Sequence, residues 1–276
     1  MKEIKTGNGG AGIVGFVEYM YTKFNEIRGT DYNFVWIKSD TEETINGMIN
    51  ATLDIGWPYG IDRVCNAYNK NKNNWIEPIY IFRDHFILAG PKTNSASLPI
   101  VGGDHPHISN NEVYAIFKTI SKGQNGTKFF TRNDKSATNI LEREIFKCAI
   151  GRYPDVDDDK EWYVQIKDEH IYPQTALEIS NKNDYYTLSD RGIWTWATPE
   201  IKSNLRIFCE GGDENPNDIL LNPCLAVVRN DSPQEALEFF NWLREEGQNF
   251  IEEYKQYGEN LYSKAPGDNF YPCKGK

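Results

Sequence analysis

Two hydrophobic periods alternate along this chain. Short apolar runs of strand character recur at residues 2–6, 32–37, 53–57, 78–90, 184–188, 205–209 and 224–229. Between them, apolar side chains repeat at helical spacing. Ile13, Val14, Val17, Met20, Tyr21 and Phe24 form one such stripe, and Ile45, Met48 and Ile49 another. Val113, Ile116, Phe117 and Ile120 mark a helix over 110–122, and residues 172–183 read as largely helical. Ser232-Pro233-Gln234-Glu235 has the cap, proline and acidic residue of a helix start. The apolar stripe after it predicts one helix to about residue 257. Strands alternating with helices predict an α/β fold with a mostly parallel sheet. Ligands of such sheets sit beyond the carboxyl ends of strands.

One stretch follows that rule with chemistry attached: Phe129-Phe130-Thr131-Arg132-Asn133-Asp134-Lys135-Ser136-Ala137-Thr138-Asn139. The paired aromatics read as a buried strand end. Asp134 or Ser136 can then cap a helix running to about residue 150, with Ile140, Leu141, Ile145, Phe146, Cys148 and Ala149 inward. The turn thus gathers an arginine, several hydroxyls and unpaired backbone N–H groups at a helix N-terminus, the parts needed to hold a small dehydrated anion. A merely well-capped helix would use the same Ser, Thr and Asp.

Other turns add weaker signals. Gly7-Asn8-Gly9-Gly10-Ala11-Gly12 matches GxGxxG in form, but a dinucleotide site also needs an acidic residue ending the second strand. Asp40, the candidate, reads instead as a helix cap with Glu43 three residues on. The glycines still let a ligand approach backbone N–H groups closely. Pro58-Tyr59-Gly60 follows the third strand and could offer another ligand group, and Arg191 is a second arginine at a strand-to-helix turn. His105 and His107 lack an evident third metal ligand, so a surface loop is the better reading. Residues 155–159 fail the EF-hand pattern, with Lys160 where Gly and Ile166 where Glu are required, and read as a solvated acidic loop.

The formal net charge of −10 argues against nucleic acid, which needs a basic face. It leaves a small anion open, because charges beyond about 8–10 Å are screened. No apolar run approaches the roughly 18 residues of a membrane span. The five cysteines, at 65, 148, 209, 224 and 273, show no metal spacing and allow at most two disulfides. Asn50, Asn125 and Asn230 head Asn-x-Ser/Thr sequences, about the number chance provides in so Asn-rich a chain. No leader-like segment opens the chain. No Ser-His-Asp, Cys-His or paired-carboxylate arrangement points to an enzyme.

In order and spacing, several segments resemble the tungstate-binding proteins of bacterial ABC uptake systems, and more closely their secreted fungal members. They are Gly7-Asn8-Gly9-Gly10-Ala11-Gly12, Leu53-Asp54-Ile55-Gly56-Trp57-Pro58-Tyr59, His85-Phe86-Ile87-Leu88-Ala89-Gly90-Pro91, Thr131-Arg132-Asn133-Asp134-Lys135-Ser136-Ala137-Thr138, Trp162-Tyr163, Tyr186-Thr187-Leu188-Ser189-Asp190-Arg191-Gly192-Ile193-Trp194 and Leu220-Leu221-Asn222-Pro223. The resemblance implies a two-lobed type II periplasmic-binding-protein fold with two crossover strands. Residues 1–89 and 223–276 would form lobe one and 90–222 lobe two. It implies a non-enzymatic protein that binds a tetrahedral oxyanion, tungstate or molybdate first, in the cleft between lobes. Gly9, Gly10, Ala11, Gly12, Thr131, Arg132, Ser136, Ala137 and Thr138 would be the contacts, with Tyr59 and Arg191 beside them. No metal or other cofactor is implied. The implied protein is a secreted monomer whose leader has been removed, with a membrane transporter or surface component as partner. The glycines and alanine at residues 9–12 stand where bacterial members carry hydroxyls, and Ala137 stands for a glycine. The rival reading is therefore a secreted scaffold that keeps the fold and has lost or changed its ligand.

Overall fold

A computed structural model describes residues 3–166, 171–215, 217–267 and 270–274. The chain divides into two compact units, Met1–Asp84 with Asn222–Lys276, and His85–Leu221. In chain order the first unit opens with β1 (Ile4–Asn8), α1 (Gly10–Ile13), α2 (Phe16–Arg28), β2 (Phe34–Lys38), α3 (Thr41–Ile49), β3 (Ile55–Gly56) and α4 (Ile61–Asn71). Strand β4 (Ile79–Pro91) carries the chain into the second unit. There follow α5 (Asn110–Ile120), β5 (Phe129–Phe130), α6 (Ala137–Ile150), β6 (Tyr163–Val164), α7 (Pro173–Asn183), β7 (Thr187–Asp190), α8 (Arg191–Thr195), α9 (Pro199–Asn204) and β8 (Leu205–Glu210). Strand β9 (Leu221–Val228) returns to the first unit. The chain ends with α10 (Gln234–Arg244), α11 (Gln248–Ile251), the β10–β11 hairpin (Lys255–Gln256, Glu259–Asn260) and β12 (Ser263–Lys264).

The sheet is mixed. In the first unit β1 lies between β2 and β3 and is parallel to both. β3 then pairs antiparallel with β9, and β4 pairs antiparallel with β12. In the second unit β7 and β8 both pair antiparallel with β4, while β5 and β6 are parallel. The expected parallel pairing thus holds where a helix crosses between neighbouring strands, as α2 does between β1 and β2. It gives way along the strands that carry the chain between units. β4 is buried along almost its whole length, which explains its two apolar runs, Ile79–Phe82 and Phe86–Ala89, on either side of Arg83, Asp84 and His85.

The first unit packs around aromatics. Phe16 meets Phe82 edge-on at 5.2 Å, and Phe24 meets Trp242 the same way at 5.5 Å. A second cluster there includes Met48, Val64, Trp75 and Leu225, with a Cys65–Cys273 disulfide beside them. The second unit packs Phe117, Phe129, Phe146 and Tyr163 together with Val113, Ile116 and Leu188.

Three expectations change. The single C-terminal helix breaks after Arg244, where the N–H groups of Glu245 and Gly247 both turn back to the Trp242 carbonyl. A Cβ on Gly247 would stand 2.9 Å from the Leu243 Cα, so only glycine fits this reversal. Ser232 does not cap α10: its hydroxyl donates to the Asp54 carbonyl and accepts the Arg229 N–H. Ile49 and Cys148, expected inward, are exposed. In α6 the buried stripe runs through Glu142, Ile145 and Phe146, which puts Cys148 outside it.

Candidate anion-binding site

In the first unit the turn after β1 is built on Asn8. Its side chain donates to the Trp57 carbonyl and accepts the Gly12 N–H, both at 2.8 Å, and its carbonyl accepts the Trp36 indole N–H at 2.7 Å. Trp36 therefore packs directly against Gly12, where a Cβ would stand 2.1 Å from the ring. Gly12 is a packing glycine whose N–H is spent. Gly9 leads into α1, and among the described residues no acceptor meets the N–H groups of Gly10 and Ala11. Tyr59 follows β3, the parallel neighbour of β1, and its hydroxyl lies 3.9 Å from where a Cβ on Gly10 would stand. The structure thus gathers Gly9, Gly10, Ala11 and Tyr59 at the carboxyl ends of two adjacent strands. Asp40 and Glu43 form a reciprocal capping box on α3, the role expected of them in place of ribose binding.

In the second unit residues 131–138 join β5 to α6. Ser136 is the N-cap, its hydroxyl accepting the Asn139 N–H. The N–H groups of Ala137 and Thr138 in the first helical turn meet no acceptor among the described residues. Arg132 is largely buried; its Nε donates to the Ile171 carbonyl at 3.0 Å and a terminal nitrogen pairs with Asp134. A guanidinium has five N–H donors, so three of them meet no acceptor among the described residues. Asp134 also accepts the Ser136 N–H. Asn133 and Lys135 both adopt left-handed backbone conformations, with φ of 48° and 62°. The N–H groups of both are spent inside the loop, that of Asn133 on the Thr131 hydroxyl and that of Lys135 on the Asn139 side-chain oxygen, so these residues set the shape of the turn.

Thr131 has another part. It is fully buried, its N–H donates to the Val164 carbonyl, and its hydroxyl donates to Glu142 while accepting the Asn133 N–H. It holds the loop from beneath. Sequence reasoning missed Glu142 and Asn139, both buried on the same face of α6.

β7 lies beside β5 through a parallel bridge at Phe129 and Tyr186, and the Thr187 hydroxyl donates to the Phe130 carbonyl. Asp190, at the end of β7, therefore approaches the loop. It caps α8 by accepting the Ile193 N–H at 2.8 Å. Burial pushes its carboxyl up to about 6, opposed by that hydrogen bond and the Arg132 charge. Arg191 is held away from solvent by Glu210, which also binds His105 at 2.6 Å. His107 meets the backbone carbonyl of Glu210, and His85 pairs with Asp213 at 2.9 Å. Burial holds His85 below the usual histidine range. His105 and His107 thus both meet Glu210, one at its carboxylate and one at its backbone carbonyl, while His85 meets Asp213. No cluster of three or more metal-binding side chains occurs among the described residues. In the acidic loop, Asp159 is buried and takes a two-pronged pair from Arg152, so it serves structure.

No protein-family model and no curated protein matches the chain. Solved structures do. A periplasmic protein described as a candidate metal-binding protein shares 30% identity, with 95% of this chain and 96% of that one covered at a TM-score of 0.82. The tungstate-binding protein of Desulfovibrio alaskensis G20 shares 20% identity over 96% of this chain and 99% of its own, at a TM-score of 0.75. A candidate phosphate ABC-transporter substrate-binding protein of Clostridium perfringens, solved with phosphate, shares 13% over 96% and 100%, at 0.60. The last two likenesses establish fold alone. With 30% identity over nearly the full length of both chains, this chain belongs to the family of that periplasmic protein and has the two-lobed α/β fold of the periplasmic substrate-binding proteins.

Proposed function

We propose that the protein binds a small tetrahedral oxyanion, tungstate or molybdate first, with sulfate and phosphate as weaker candidates. The observation that carries this reading is the loop of residues 131–138, where three spare donors on Arg132 accompany the unmet N–H groups of Ala137 and Thr138 and the Ser136 hydroxyl. Arginine donors to an oxyanion are charge-assisted and geometrically matched to it. The N-terminus of the helix adds its partial positive charge. Within the first unit, Gly9, Gly10, Ala11 and Tyr59 form a separate donor set, through the unmet N–H groups of Gly10 and Ala11, which we also assign to anion binding. Gly12 and Thr131 each hold their own turn in shape, and Arg191 is paired with Glu210. The tungstate- and phosphate-binding proteins that share the fold support an oxyanion as ligand.

We assign the protein to an extracytoplasmic compartment, with a membrane transporter or surface component as partner. The Cys65–Cys273 disulfide suits an oxidising environment, and a periplasmic relative supports it. Equilibrium dialysis against labelled tungstate, with molybdate, sulfate and phosphate as competitors, tests the reading. Retention of tungstate and displacement by molybdate are expected. No retention of any of the four would overturn it and favour a scaffold that keeps the fold without the ligand.

A further inference from the structure

A single carboxylate oxygen underlies the whole 131–136 loop. Glu142 is 2% exposed, and its Oε1 accepts from the Thr131 hydroxyl, from the Asn139 side-chain amide at 2.8 Å and from the Tyr163 hydroxyl at 2.8 Å. Two of these partners hold the two left-handed residues. The Thr131 hydroxyl accepts the Asn133 N–H at 3.0 Å, and the Asn139 side-chain oxygen Oδ1 accepts the Lys135 N–H at 3.0 Å. Asn139 also sends its own N–H to the Ser136 hydroxyl. Left-handed non-glycine residues persist only where their surroundings hold them. Here those surroundings converge on Glu142.

We infer that Glu142 is the positioning residue of the anion loop and that oxyanion binding is coupled to proton uptake by its carboxyl group. The inference rests on the oxyanion reading above. Its physics is like-charge repulsion: a dianion at the loop disfavours a second negative charge on a buried carboxyl nearby. Binding then draws a proton from solvent onto Glu142, and by linkage affinity falls as pH rises.

Few charges face Glu142 to compensate. Asp134, on the loop, opposes its ionisation. Tyr163, from β6, faces it with a hydroxyl whose own ionisation burial suppresses. Arg143, the next residue of α6, acts on Tyr163 and donates to the Pro154 carbonyl. Asp190, from β7, lies within reach of Arg132. On α5, which packs along α6, Glu112 is engaged as a cap and Tyr114 faces Cys148. Burial pushes Glu142 up to about 7 against its three hydrogen bonds, so the coupling falls in a pH range that solution measurements reach.

The test is calorimetric titration of the intact protein with molybdate from about pH 6 to 8, where molybdate stays a dianion, in buffers of differing ionisation enthalpy. The wild type should take up protons on binding and lose affinity about three- to tenfold across that range. Glu142→Gln keeps an amide oxygen for the three donors and should lose most of the pH dependence between about pH 6.5 and 8. Asp190→Asn removes the other buried carboxyl within reach of Arg132, and in it the Glu142 share of the pH dependence above about pH 6.5 should remain. Molybdate binding without proton uptake, or an unchanged pH dependence in Glu142→Gln, would overturn the inference and leave the oxyanion reading standing. Absence of molybdate binding at every pH would overturn both. Should Glu142→Gln fail to fold, the proton uptake of the wild type decides.

Discussion

Arg132 and Asp134 form an ion pair within the turn that follows β5, and both side chains are only 12% exposed. A bound anion must share the guanidinium with that carboxylate. Asp134 therefore weakens fully deprotonated anions and offers an acceptor to protonated ones. Asp134→Asn should tighten tungstate or molybdate binding about three- to tenfold, because it removes a nearby like charge. It should do less for hydrogen phosphate. Competition dialysis with the two classes of anion checks the difference.

Glu142 also makes stability depend on pH. Its carboxyl is raised to about 7 by burial, above the ordinary carboxylate range of the unfolded chain. Between those two values the native state keeps a proton that the unfolded chain has lost. Stability from this group is thus complete on the acid side, falls as pH rises toward 7, and is level above it. Urea unfolding at about pH 5 and pH 8 should show a fall in the wild type that is smaller by on the order of 2–3 kcal/mol in Glu142→Gln. Equal falls in the two proteins would contradict the assignment.

Gly12 has no room for a side chain beneath Trp36. Gly12→Ala should destabilise the first unit by about 1–3 kcal/mol through overpacking. It should also disturb the Asn8 hydrogen bonds that shape the turn. Thermal unfolding of the variant, followed by tryptophan fluorescence, reads both effects.

The Cys65–Cys273 disulfide joins residues 208 positions apart and fastens the C-terminal segment to α4. Its removal by Cys65→Ser with Cys273→Ser should cost about 2–5 kcal/mol. The free cysteines at 148, 209 and 224 should react with thiol reagent in the order of their exposure, Cys148 first.

Much of this was legible in the residues. Ser136 does cap α6 at the end of a buried strand, and Asp40 does pair with Glu43 as a cap. Local chemistry writes such features directly. Glu142 was not legible, because a lone Glu on an amphipathic helix ordinarily faces water. The spacing of Thr138, Asn139 and Glu142 on one face was the sole hint. The antiparallel pairs along β4 and the Cys65–Cys273 link depend on contacts between distant segments. Ser232 carried a genuine helix-start pattern, yet the Asp54 carbonyl took its hydroxyl. The Tyr257-Gly258 turn, with φ of 51° and 87°, was a hairpin signal that helical periodicity masked.

The most direct measurement is isothermal titration of the wild type and of Arg132→Ala with tungstate under identical buffer and salt. A single saturable site in the wild type, weakened at least about a hundredfold in the variant, is the predicted result. Saturable binding of equal strength in both proteins would contradict the central role given to Arg132, and the absence of heat in the wild type would contradict oxyanion binding itself.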